Sequence, residues 1–85
     1  MNYEIRWTDQ SLRQMEKLDK VTRKRIFERV LSISSSPFSY VKKLKGFKLY
    51  ALRAGDYRVI MSIENKSLLI FILEVGHRSV VYRKY

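Results

Sequence analysis

Leu68-Leu69-Ile70-Phe71-Ile72-Leu73-Glu74-Val75 is the stretch on which the fold turns. An extended chain with one wet face would alternate apolar and polar residues; this one is apolar on both faces. Such a strand belongs in the middle of a sheet, covered by helices on one side and at least partly shielded on the other. Gly76 ends it, and the run is far too short to span a bilayer. Working back, Glu64 to Ser67 is a polar turn, and Tyr57 to Ile63 and Lys48 to Arg53 read as two further strands. Between them Ala54-Gly55-Asp56 is turn chemistry, with Gly55 free to take a positive φ. Beyond Gly76, Ser79 to Tyr82 reads as a short last piece of strand.

The N-terminal half has a different period. Tyr3-Glu4-Ile5-Arg6-Trp7 alternates as a strand with one buried face. Thr8 or Asp9 can cap a following helix, in which Leu12, Met15 and Leu18 form a narrow apolar stripe. Leu18-Asp19-Lys20 breaks it. A second helix carries Ile26, Phe27, Val30, Leu31 and Ile33 on one side and Arg23, Lys24, Glu28 and Arg29 on the other. Ser34-Ser35-Ser36-Pro37 stops that helix, because serines compete for backbone bonds and the residue before proline avoids helical angles. The order is β-α-α-β-β-β(β): a single α+β domain over residues 1–85, a helical hairpin packed on a small antiparallel sheet. Trp7, Phe27 and Phe71 are expected in its core.

No repeat or linker divides the 85 residues, and 46% apolar content is enough for a real core. The absence of cysteine excludes a disulfide framework, a thiolate metal site and a cysteine nucleophile, and with no charged-then-apolar leader it predicts a cytoplasmic protein that does not engage membranes. Eighteen Lys and Arg against eight Asp and Glu give a net charge of +10. The excess is uneven. Residues 38–60 carry Lys42, Lys43, Lys45, Lys48, Arg53 and Arg58 against Asp56 alone, and residues 76–85 add Arg78, Arg83 and Lys84. Self-repulsion at that density works against a compact fold and points to a polyanionic partner, either nucleic acid or an acidic protein.

Most enzyme signatures are missing. A single histidine cannot make an imidazole metal cluster, there is no glycine-rich phosphate loop, and the scattered acids do not suit two-metal or glycosidase chemistry. No metal or cofactor is predicted. Cations and tyrosines at strand ends remain, and they suit metal-free cleavage of an RNA phosphodiester. There the 2′-hydroxyl attacks its neighbouring phosphate, and guanidinium groups stabilise the charge that builds on the phosphorane. A base must take the 2′ proton and an acid must protonate the 5′ leaving oxygen.

Leu44-Lys45-Gly46, Leu52-Arg53-Ala54-Gly55-Asp56-Tyr57-Arg58-Val59-Ile60 and Val75-Gly76-His77-Arg78-Ser79-Val80-Val81-Tyr82-Arg83 resemble the signature stretches of the RelE/ParE superfamily of toxins, in the same order and along essentially the whole chain. The resemblance implies a toxin held inactive by a cognate acidic, RelB-like antitoxin. In the RelE branch it implies an endonuclease that cuts mRNA in the ribosomal A site. Arg58 then corresponds to the arginine that binds the scissile phosphate, Arg78 to the one assigned to phosphate binding and leaving-group protonation, and Tyr82 to the tyrosine that stacks on or orients the nucleotide. The Lys-x-Lys pair of well-known RelE enzymes falls on Leu49 and Ala51 here, so Lys48 or Tyr82 is expected to supply the general base. ParE-type members bind DNA gyrase instead and lack the catalytic set.

Each of these residues also has a plainer role open to it. Arg58 on an exposed strand can simply pair with an acid, and Arg78 can be a solvated cation at a strand end. Tyr82 can pack its ring beside Val80 and Val81. Histidine is a common general acid or base, but His77 matches the family less well than Arg78, and a lone histidine at a strand end commonly hydrogen-bonds the backbone. Lys42, Lys43 and Lys45, with Arg53 and Arg83, read as phosphate contacts that position nucleic acid without reading its sequence. Tyr50 and Tyr57 suit base stacking, but strands favour tyrosine anyway.

Overall fold

Thr8 is where the chain turns from sheet to helix. The computed structural model describes residues 2–80, and in it β1 (Glu4–Trp7) stops one residue earlier and α1 (Asp9–Glu16) begins one residue later. The Thr8 amide donates to the Ile72 carbonyl at 3.1 Å and its hydroxyl donates to the same oxygen at 2.9 Å. That hydroxyl oxygen also accepts the Ser11 N–H at 3.2 Å, so Thr8, not Asp9, caps the helix.

Asp19 does the same for α2 (Lys20–Ser32), accepting the Thr22 N–H at 3.1 Å. Hydrogen bonds from the Thr22 side chain and amide hold the Asp19 carboxyl below the usual carboxylate range. A carboxyl depressed by folding adds stability above its ordinary pKa and loses it as pH falls through the lowered one. The melting temperature of the wild type is therefore expected to drop relative to Asp19→Asn on acidification, since the amide cap does not titrate. Parallel pH profiles for the two would show that the charge contributes nothing.

After α2 come a short 3₁₀ turn (Pro37–Ser39), then β2 (Lys42–Lys43), β3 (Tyr50–Ala54), β4 (Tyr57–Glu64) and β5 (Leu69–His77). The sheet order is β1-β5-β4-β3-β2, so the doubly apolar run does become an interior strand. The α+β hairpin-on-sheet architecture is as expected, with one refinement. β1 joins β5 in parallel, Glu4 opposite Leu69 through Trp7 opposite Ile72, which makes the sheet mixed. The helical hairpin supplies the crossover that a parallel neighbour needs. Lys42–Lys43 pairs with β3, while the strand expected from Lys48 begins only at Tyr50. Residues 45–48 are spent in a turn closed by the Leu44 N–H to Leu49 carbonyl bond at 2.9 Å. At the other end, Arg78–Val80 is helical where a strand was expected, the His77 Nδ1 accepting the Ser79 N–H at 3.3 Å. Val81 and Tyr82 lie outside the described residues.

Helices cover one face of the sheet. Met15, Ile26, Val30 and Ile33 pack there against Leu52, Val59, Met61, Ile70 and Ile72. The inner line of α2 is narrower than its sequence stripe. Phe27 and Leu31 stand about 100° round the helix from Ile26 and Val30 and are 46% and 47% exposed, as is Leu12 of α1 at 46%. Phe27 is thus not core, and stacks on the half-buried Trp7 with ring centroids 5.9 Å apart; Phe71 is also only half-buried.

A register shift breaks the β4–β5 ladder: Ile60 faces Glu74, but Met61 faces Ile72, leaving Leu73 as an extra residue. Its effect is to change parity. Ile70 and Ile72 point to the helices, and after the bulge Val75 does so in place of Glu74. Past the end of β1, the Val75 N–H is taken by Gln14 Oε1 of α1 at 2.6 Å.

Candidate nucleic-acid site

Strand alternation turns Ala51 and Arg53 of β3, and Arg58 and Ile60 of β4, toward the face the helices leave uncovered. Ala51 and Ile60 are buried there beneath Leu44 and Leu49. Arg53 and Arg58 stand directly opposite each other. Like charges in that position destabilise a strand pair, and an anion over the face offsets the cost. The two-residue turn that brings them together needs Gly55, whose φ is +63°. Next to it, the Asp56 carbonyl accepts the Arg78 N–H at 2.9 Å, which ties the start of the C-terminal helical turn to the β3–β4 hairpin.

These constraints enclose a cavity of about 410 Å³, whose walls include Tyr40, Lys42, Leu44, Arg53, Arg58 and Arg78. The Nε of Arg78 is buried and has no hydrogen-bond partner among the described residues. A buried donor left unpaired costs about 1–3 kcal/mol, a penalty that a bound phosphate oxygen removes. Lys42 faces Ala51 across the β2–β3 pair, so its side chain rises on the same sheet face.

The structure therefore brings together Arg58, Arg78, Arg53 and Lys42 of the residues singled out from sequence. It does not bring in Lys43, which stands opposite Tyr50 and is exposed, nor Lys45 and Lys48, exposed in the turn before β3. Tyr82 and Arg83 fall outside the described residues. Tyr50 and Tyr57 are half-buried against the helix-side core, which removes them as base-stacking groups. His77 is exposed, sits edge-on to the Tyr57 ring at 5.6 Å and bonds Ser79, the backbone-bonding role open to it from the outset. Sequence reasoning missed Tyr40, although an aromatic between a proline break and a basic run is a visible signal. It also missed Glu74, 6% exposed on the cavity side of β5, whose orientation depends on the bulge.

A family model described as the ParE toxin of type II toxin–antitoxin systems, parDE, matches residues 5–82. The mRNA interferase toxin RelE of Escherichia coli (strain K12) is 26% identical, over 96% of this chain and 92% of its own. The toxin–antitoxin complex RelBE2 of Mycobacterium tuberculosis contains a chain with a TM-score of 0.87 at 26% identity, covering 93% of this chain and 94% of that one. The archaeal RelE–RelB complex of Pyrococcus horikoshii gives a TM-score of 0.78 at 32% identity, covering 92% and 97%. The fold and a cationic cavity of this kind define a small toxin of a type II toxin–antitoxin system. The chain belongs to the RelE/ParE superfamily, within its RelE branch.

Proposed function

We propose that this toxin is a ribosome-dependent endonuclease that cuts mRNA in the ribosomal A site by attack of the 2′-hydroxyl on the adjacent phosphate, without a metal ion. The convergence of Arg58 and Arg78 on one cavity carries the reading. Two guanidinium groups can grip the non-bridging oxygens bidentately and hold them more tightly as charge builds in the transition state. Arg53 and Lys42 add two further cations to the same wall, Lys42 standing opposite position 51 across the β2–β3 pair. Lys48, exposed outside the cavity lining, is a phosphate contact at most in this scheme; Tyr82 is assigned the general base that takes the 2′ proton, and Arg78 the protonation of the 5′ leaving oxygen.

A translating extract should show mRNA cut at discrete positions, with 2′,3′-cyclic or 3′-phosphate ends, and the same RNA intact without ribosomes. Cleavage of ribosome-free RNA at equal rate would overturn the dependence. The match to a ParE model supports the other reading, a gyrase-binding toxin without nuclease activity; in that case induction halts replication before protein synthesis.

Relatives are solved as RelB complexes, and the chemistry here suits a partner of that kind. Trp7, Leu12, Met15 and Phe27 floor an apolar groove of about 570 Å³ whose rim carries Lys20, Arg23 and Lys24 against Glu16. An acidic amphipathic helix fits both its floor and its rim. Added to the extract, the cognate antitoxin should abolish cleavage.

A further inference from the structure

We propose that Tyr40 is a nucleobase-stacking platform beside the phosphate-gripping arginines. The proposal rests on the nuclease reading and adds to it a subsite for one base flanking the scissile linkage. Tyr40 leaves the Pro37–Ser39 turn on a fixed footing: Pro37 is buried, and the Tyr40 N–H donates to its carbonyl at 3.1 Å. The residue is 53% exposed yet forms part of the cavity wall with Arg58 and Arg78.

It is also held. The Arg29 guanidinium carbon lies 5.5 Å from the ring centroid, within cation–π range. Arg29 is itself anchored, its Nε donating to the Arg53 carbonyl at 3.3 Å and its Nη1 to the Ser32 hydroxyl at 3.4 Å. A chain of contacts from α2 through Arg29 thus fixes the ring before any ligand arrives, so little freedom remains to be lost on binding.

Among the described residues, the other exposed aromatics do not qualify: Phe27 stacks on Trp7 away from the cavity. Phe38 is engaged edge-on by Tyr50 at 5.4 Å, and Phe47 lies in the β2–β3 turn outside the cavity. Single-stranded RNA carries a π-face beside every phosphate, and stacking on an aromatic side chain is its usual means of recognition. Tyr40 is the described aromatic of the cavity wall and is placed to receive one.

The test is single-turnover cleavage of ribosome-bound messages that are intact or carry one abasic nucleotide on either side of the cut. Tyr40→Ala is expected to slow cleavage of the intact message by about 5- to 100-fold, with Tyr40→Phe close to wild type. On the message lacking the stacked base, wild type should be equally slow and Tyr40→Ala should add no further loss, the signature of a coupled pair. Equal slowing by Tyr40→Ala on all messages, or none on any, overturns the platform while leaving the nuclease standing. Wild-type protein that cuts no message overturns both.

Discussion

Arg78→Ala is expected to slow mRNA cleavage by a factor on the order of 10²–10³, the usual cost of removing one preorganised stabiliser of transition-state charge. Arg78→Lys should recover little of it, because a single ammonium cannot reproduce a planar, two-pronged grip. The same change should leave the melting temperature unchanged or raise it. Alanine keeps the amide that donates to Asp56, and truncation removes a buried Nε with no partner among the described residues. Loss of activity with preserved or improved stability is the mark of a group kept for its chemistry. A full cleavage rate in the variant would remove Arg78 from the site, and a lower melting temperature would assign it a structural role instead. Arg58→Ala should resemble Arg78→Ala, and the double variant should fall well short of the product of the two, since both act on one phosphate.

Ile72→Ala tests the scaffold. Ile72 is fully buried on β5, which lies between β1 and β4. Removing a fully enclosed aliphatic side chain costs about 2–5 kcal/mol. A domain of this length has total stability on the order of 4–13 kcal/mol. The expected drop in melting temperature is at least about 10 °C, measured by thermal unfolding. Leu12→Ala, at a half-exposed position, should move it far less. A small effect of Ile72→Ala would mean that the strand is not the mechanical centre of the sheet.

Much of this was legible in the chain itself because single-residue physics decided it. The run from Leu68 to Val75 had to be interior, Gly55 had to be a turn, Thr8 or Asp9 had to cap the first helix, and Leu18-Asp19-Lys20 had to part it from the second. Arg58 and Arg78 could be named because their flanking stretches match a known pattern. What escaped depended on register. Lys42 and Lys48 look alike in sequence, and only the pairing of Lys42 with Ala51, against the turn that consumes residues 45–48, separates a cavity lysine from a solvated one. Glu74 sits in an apolar run, and one extra residue at Leu73 decides whether it faces the helices or the cavity. Phe27 and Leu31 have the right period for burial, but the sheet beneath α2 covers only the line through Ile26 and Val30.

The parallel pairing of β1 with β5 has a consequence for biosynthesis. β1 emerges first, yet its partner is made about 3–13 s later at ordinary elongation rates, and Arg78 follows after that. Until then the two helices have no complete surface to close upon, and the guanidinium that would grip RNA has not been translated. On the nuclease reading proposed above, a growing chain cannot grip RNA until β5 and the arginine behind it have been made.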